Sequence, residues 1–374
     1  MFTRLRVLEL ASVLAGPSVG QFFAELGAEV IKVENPGTGG DVTRSWRTSG
    51  EQTDDRSAYF CSCNWGKKSV VLDLSLEADR KKVLRLAERS DIVIASYKPG
   101  DAEKLGVSFT QVKTRNPSII YGQITGYGPD DERVGYDAVI QAESGFMDLN
   151  GERTGPPTKM PVALIDVLAA HQLKEGLLLA LLRQQKTGAG SLVEVSLMET
   201  AIASLVNQAT NWLVAGKLPS RQGSAHPNIA PYGDTFTTKD DKQLLLAIGS
   251  DRQFDALLGL LGCDRNEAVW SNFQTNPQRV QNREALHALL SAAIEPFPGH
   301  ELVSKLNRKK IPAGLVQNVR EALDSPAAER LLLQAGGIRG IRSFVGAGIV
   351  GRPELTPPPH LGEHSEEVFR LISE

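Results

Sequence analysis

The chain has 374 residues, of which 41% are hydrophobic and 23% charged, with 41 Lys and Arg set against 44 Asp and Glu. That balance describes a folded, soluble chain long enough for two or three domains, and it excludes a disordered or fibrous one. A formal net charge of -3 removes the wide basic surface on which nucleic-acid binding depends.

The opening stretch, "MFTRLRVLEL", enters a strand-like run without the basic start and long apolar core of a secretory signal, so a cytoplasmic protein is expected. "RVLEL" (Arg6 to Leu10) reads as a strand, "GPSVGQFFAEL" (Gly16 to Leu26) as a helix with Pro17 in its first turn, and "AEVIKVE" (Ala28 to Glu34) as a second strand. The alternation continues with a strand at 69–74, a helix at 77–90, and strands at 91–96 and 118–125. Parallel strands need crossover connections, so this pattern predicts an α/β fold with a mostly parallel sheet and helices on both faces. From Pro161 the text becomes helical, interrupted by "KTGAGS" (Lys186 to Ser191) and the strand-like "LVEVSL" (Leu192 to Leu197), and helix resumes at Met198. Its longest apolar run, "EGLLLALL" (Glu175 to Leu182), is far short of the ~20 residues that cross a bilayer, so no membrane segment is expected.

"GKLPSRQGSAHPN" (Gly216 to Asn228) is the best linker. Beyond it, "YGDTFTT" and "QLLLAIG" around "KDDK" read as a hairpin, followed by helices near 251–261, 283–294 and 300–307. These define a second, smaller α+β domain after that linker. The passage after Ala335 is rich in Gly and Pro, with Arg352 to His364 extended before a short final helix.

The first β-α turn, "ASVLAGPS", lacks the GxGxxG loop of a dinucleotide site. Glu34 ends the second strand, where it is either a solvated strand end or a ribose ligand. The helix start at Gly16 and Pro17 can hold an anion. Lys67 and Lys68 in "NWGKKS", with Lys98 and Lys104 in "SYKPGDAEKLG", gather cations at strand ends, a placement that suits a phosphate-bearing ligand. Each is equally open to being plain surface. The Gly-rich stretch from Thr125 to Gly145 carries Tyr127, Tyr136, Asp137 and Gln141, and reads either as a long connection or as a ligand loop. Cys61, Cys63 and Cys263 are odd in number and wrongly spaced for zinc, and the six histidines offer no HExxH, so no metal is expected. His226, His360 and His364 fall in turn-like text that suits hydrogen-bonding roles.

One residue stands out. Asp166 is the single charge in "PVALIDVLAA", where an ionised carboxylate is costly unless a field or hydrogen bonds compensate. It is either a first-turn helix acid of the ordinary kind or a carboxylate kept ionised by the helix field at a cleft wall, available as a nucleophile.

The motifs "RVLELASVLAGPSVGQFFAELGAEVIKVENPGTGGDVTR", "YFCSCNWGKKSVVLDL", "IIYGQITGYGP", "GYDAVIQAESG", "RQQKTGAGSLVEVSLMET", "HPNIAPY" and "PPPHLGEHSEEV" together resemble the class III CoA-transferases, the group of formyl-CoA transferase and the carnitine CoA-transferases. The resemblance runs from residue 6 almost to the C-terminus. It implies transfer of CoA from an acyl-CoA to a free carboxylic acid, with CoA as a moiety of the substrate and no tightly bound cofactor. It also implies that Asp166 is the nucleophile, passing through an aspartyl anhydride and an aspartyl-CoA thioester. Tyr136 and Asp137 fall on residues that flank the acyl group, with Gln141 beside them. Ala15, Leu72, Ser96, Tyr97, Lys98 and Lys104 fall on CoA contacts. The resemblance also implies a Rossmann-like large domain formed by 1–215 and 325–374, a small α+β domain over 216–324, and assembly as an interlocked homodimer.

Departures from the family pattern are visible as well. Ser12 and Leu14 stand where other members carry His and Gln, Asn35 where they carry Arg, and Lys104 where they carry Arg. The "GGGGQ" loop of formyl-CoA transferase is missing, which argues against formyl-CoA and oxalate as the pair. Two rival readings follow: a 2-methylacyl-CoA racemase, which typically reads "GHD" where this chain has "GYD" at 135–137, and a non-catalytic CoA-binding protein. Tyr136, with an ordinary pKa of ~10, is a poor substitute for an imidazole base. A mere binder has no need of Asp166.

Overall fold

The computed structural model describes residues 2–346 and 353–373. Within them the chain divides into two compact units, the larger running to Met147 and taking in Lys159–Lys217 and the chain from Glu329, the smaller made of Asp148–Thr158 and Leu218–Ala328. The segment Asp148–Thr158, assigned from the sequence to the larger domain, clusters with the smaller unit.

The larger unit is built on six strands: β1 (Arg6–Leu10), β2 (Glu29–Glu34), β3 (Lys67–Val71), β4 (Ile92–Ala95), β5 (Ile120–Thr125) and β6 (Ser191–Ser196). They lie in the order β3-β2-β1-β4-β5-β6 and every pairing is parallel. Central strands of such a sheet are covered on both faces and need near-continuous apolar runs. All four residues of β4, Ile-Val-Ile-Ala, are buried accordingly. Helix α1 (Ala15–Glu25) returns from β1 to β2 and is buried almost throughout, while α2 (Glu77–Glu88) crosses from β3 to β4 and buries only Val83, Leu86 and Ala87.

Helix α3 (Asp137–Glu143) and the 24-residue helix α4 (Leu164–Thr187) lie between β5 and β6 in the chain. Leu173 and Leu177 of α4 join Ile94, Ile120 and Ile124 of the sheet in one apolar core with α1. The helix expected from Met198 is two helices, Leu197–Ala203 and Asn207–Leu213. Val206 takes φ 47° between them, and a residue in that left-handed region cannot continue a right-handed helix.

A two-residue Gly336-Gly337 turn joins β10 (Leu332–Ala335) to β11 (Ile338–Ile341) in an antiparallel hairpin, where no strand was expected from the sequence. Arg352, the first residue of the expected extended return, lies outside the described residues. From 353 on the return is tied down: Gly66 N donates to Thr356 O at 3.0 Å, Arg44 to Pro359 O at 3.1 Å, and His364 N to Ser69 O at 3.0 Å. A last helix, Ser365–Ser373, packs on α2 and β3.

In the smaller unit, β7 (Tyr232–Thr237), β8 (Gln243–Ala247) and β9 (Ala313–Leu315) form an antiparallel sheet in that order. The helices Asp251–Leu261, Arg283–Ile294 and Gly299–Arg308 enclose its separate core, which includes Phe236, Leu246, Phe254, Leu290 and Leu302.

Candidate active site

In a doubly wound sheet, connections leave the two central strands toward opposite faces, opening a crevice beyond their carboxyl ends. Here β1 and β4 are that pair, and a cleft of about 220 Å³ lies there. Its walls are the turn Ser12–Gly16 after β1, Ser96–Pro99 after β4, the end of β5 with Arg133–Asp137, and Asp166.

The turn after β1 is strained. Val13, a β-branched residue, has φ 75°, a conformation that costs on the order of 1–3 kcal/mol and persists only where its surroundings enforce it. Ser12 N donates to Ser96 Oγ at 3.3 Å, Val13 N donates to Asp41 Oδ1 at 3.3 Å, and Cys63 Sγ donates to Val13 O at 3.5 Å. The turn delivers the start of α1 to the cleft. No side chain caps that helix end, and Ala15 and Gly16, which carry its first two amides, line the cleft.

Asp166 is the third residue of α4 and is 8% exposed. Residue 163, before the helix, is an alanine that provides no side-chain cap, and Asp137 takes that role from the start of α3. Its Oδ1 accepts from Ile165 N at 2.7 Å and from Asp166 N at 3.4 Å. Gln141, one turn along α3 and fully buried, donates to Asp137 Oδ2 at 2.6 Å and accepts from Met160 N at 2.8 Å. Asp137 is therefore fixed by two neighbours, and its charge lies beside the nucleophile candidate.

Burial first, and the Asp137 charge second, push the Asp166 carboxyl up to about 7. The expectation that the helix field keeps Asp166 fully ionised is corrected here, because desolvation and a like charge outweigh it. Its carboxylate accepts no hydrogen bond from any described residue, which leaves its lone pairs free. Tyr59, from a short helix (Ala58–Cys61), was not singled out by sequence: burial, and then the charge of Asp166, push its phenol up to about 12.

Of the residues predicted from sequence, the structure brings Ala15, Ser96, Tyr97, Lys98, Tyr136, Asp137 and Asp166 to one cleft. Tyr136 is 57% exposed there, and burial raises the Tyr97 phenol to about 12. Gln141 stands behind the wall rather than in it. Leu72 is buried in the core on the α2 side of the sheet and does not line the cleft.

The lysines separate from one another. Lys67 has no solvent contact, forms an ion pair with Glu9 at 2.8 Å, and donates to Pro17 O at 2.8 Å and Asn64 Oδ1 at 2.9 Å. A ligand phosphate cannot reach it. Lys68 points away to Glu29 at 2.8 Å and Glu367 at 2.7 Å. Lys104 is exposed and pairs only with Asp101, at 3.1 Å. Lys98, on the cleft wall, enters no ion pair among the described residues. Glu34 is neither solvated nor free for a ribose: Arg44 clamps it through two hydrogen bonds of 2.7 Å. The exposed group Asp54, Asp55 and His360 is the one cluster of possible metal ligands among the described residues, and Arg56 and Arg44 already pair with its carboxylates.

Fold and site together define an α/β protein with a buried carboxylate on the wall of a cleft suited to an anionic ligand. The family description "CoA-transferase family III" matches residues 3–365. The chain belongs to that family and is a CoA-transferase. It is 35% identical to a succinate–glutarate CoA-transferase of Agrobacterium fabrum, over 98% of this chain and 94% of that one. It is 33% identical to an acetyl-CoA:oxalate CoA-transferase of Acetobacter aceti, over 90% and 86%. A crystal structure of a CAIB/BAIF family protein from Brucella suis superposes with a TM-score of 0.88 at 37% identity, covering 99% of this chain and 98% of that one.

Proposed function

We propose that the enzyme moves CoA between short carboxylic acids by covalent catalysis at Asp166. The carboxylate attacks the thioester carbonyl, forming a mixed anhydride and expelling CoA thiolate. The thiolate then attacks the Asp166 carbonyl, giving an aspartyl-CoA thioester and the free donor acid. An acceptor carboxylate attacks that thioester to form a second anhydride, and the thiolate attacks the acceptor's carbonyl, releasing new acyl-CoA and the original carboxylate. No other cofactor is needed, because CoA enters and leaves as part of the substrate. The observation that carries this reading is the position of Asp166 in the cleft wall with an unencumbered carboxylate. A carboxylate that titrates near neutrality is also more basic than an ordinary one, and so a stronger nucleophile once ionised.

The α1 amides and Lys98 are assigned to the CoA phosphates, and Tyr136 and Asp137 to the acyl group. The names of the relatives pair succinate with glutarate and acetyl-CoA with oxalate, which favours a dicarboxylic acceptor here too. Among the described residues no histidine lines the cleft, which leaves the racemase reading without its imidazole. Incubation with succinyl-CoA and a panel of mono- and dicarboxylic acids, followed by mass spectrometry of the thioesters, tests the proposal. The new thioester of a dicarboxylic acid is expected. Hydrolysis alone, with no exchanged thioester from any acid, sinks it.

We also propose a cytoplasmic homodimer of interlocked chains. Within the larger unit Leu179, Leu182, Trp212, Leu213 and Val214 are exposed, Val214 by 84%. Large exposed apolar side chains such as these are candidates for burial against a second chain. Sedimentation should show a dimer that persists on dilution, and reversible monomer formation at low concentration would rule interlocking out.

A further inference from the structure

We propose that four buried charges, Glu9, Lys32, Asp41 and Lys67, form a device that positions the turn after β1 for CoA binding, with Asp41 its principal positioning residue. The proposal rests on the CoA reading of the cleft. Lys32 pairs with Glu9 at 3.0 Å and with Asp41 at 2.8 Å, and Lys67 pairs with Glu9 at 2.8 Å, every side chain being at most 1% exposed. Two acids face two bases in the group, where burial lowers the Lys67 pKa below its usual value. Taking four charges out of water is unfavourable compared with apolar residues of the same shape, so stability alone does not account for it.

The remaining hydrogen bonds of the group do. Lys32 Nζ donates to Ala11 O at 2.7 Å, Asp41 Oδ1 accepts from Val13 N at 3.3 Å, and Lys67 Nζ donates to Pro17 O at 2.8 Å. Cys63 Sγ adds its bond to Val13 O. From beneath, the network thus binds the main chain at both ends and at the middle of the segment from Ala11 to Pro17. The middle is Val13, at φ 75°. A valine released from these bonds would leave that conformation, and the amides at the start of α1 would turn with it. None of the four charged side chains lines the cleft, so they act through the turn and not on the ligand.

The test compares Asp41→Asn with Asp41→Ala, using CoA itself in calorimetric titrations. Both variants remove the charge facing Lys32, but only Asn keeps an acceptor for Val13 N and for Thr43 N and Oγ1, which share the same oxygen at 3.0 and 2.8 Å; rescue by Val13→Gly separates the two. CoA affinity is expected to fall at least about fivefold further in the Ala variant, with turnover at saturating acyl-CoA similar in the two. Adding Val13→Gly to Asp41→Ala should recover part of the lost affinity, because glycine holds a positive φ without the clamp.

Equal CoA affinity in two folded Asp41 variants overturns the inference, as does a failure of Val13→Gly to restore any affinity. Should Asp41→Ala not fold, Cys63→Ala decides: a fold intact by circular dichroism with CoA binding weakened a few-fold supports the device, and unchanged binding overturns it. Wild type that binds no CoA would instead sink the reading of the cleft, and the inference with it.

Discussion

Asp166→Asn is expected to lose turnover by on the order of 10⁴-fold or more while the fold and CoA binding survive, because an amide of nearly the same shape is a far poorer nucleophile than a carboxylate. The wild-type carbonyl becomes electrophilic in both proposed intermediates. Hydroxylamine added during turnover should therefore convert this one side chain to a hydroxamate, detectable by peptide mass. An adduct on Asp137 or Glu143 instead, or exchange by the variant near the wild-type rate, would show that the nucleophile lies elsewhere.

The same substitution should stabilise the protein, and only at high pH. Asp166 titrates at an ordinary 3.8 when unfolded and at about 7 when folded, so the folded state binds the extra proton between those values. Stability contributed by this group is fully present below about pH 4 and is lost as pH rises to 7. With ~1.4 kcal/mol per pKa unit the cost above pH 7 is of order 4–5 kcal/mol. Asp166→Asn should therefore raise the unfolding midpoint at pH 8 and leave it nearly unchanged at pH 4. Activity of the wild type should rise with pH through a group near 7, since the protonated acid cannot attack. A midpoint difference of the same size at both pH values would mean that Asp166 is not destabilised by its charge.

The alternation of apolar runs made the parallel sheet legible, because strands buried on both faces cannot avoid such runs. Asp166 was legible for the opposite reason: it is a charge where the pattern leaves no room for one. What composition and spacing conceal is the partner. Lys67 reads as a surface cation because exposed lysine is the usual case, yet Glu9, 58 positions away in the chain, is what buries it. Glu34 likewise finds Arg44, so neither of its two expected roles applied. The electrostatics of Asp166 depend on Asp137, 29 positions upstream, and no local pattern shows that its charge opposes the helix field. The β10–β11 hairpin was missed despite a Gly-Gly between two short apolar runs, a signal outweighed by the Gly and Pro content around it.

Gly135→Ala should lower turnover by about 10²-fold through the position of Asp137. A Cβ on Gly126 would lie 2.7 Å from Gly135 Cα and 2.8 Å from its nitrogen, and one on Gly135 would collide with Gly126 in turn. Neither glycine has a positive φ, so the requirement is for space and not for conformation. The contact closes the loop between them, where Arg133 lies 3.7 Å over the ring of Tyr127, and the chain passes from Gly135 straight into Tyr136 and Asp137. Forcing the two backbones apart moves Asp137 away from the start of α4. Overpacking of this kind costs about 1–3 kcal/mol in stability. Displacement of a positioned group by about 1 Å costs about 10²-fold in turnover. With the Asp137 charge withdrawn, the group expected near 7 in the activity profile should shift to lower pH. Gly126→Ala should reproduce both effects, and the double variant should be little worse than either, since both break one contact. A Gly135→Ala enzyme with wild-type turnover and an unmoved pH profile would show that the Gly126 and Gly135 contact does not hold Asp137 in place.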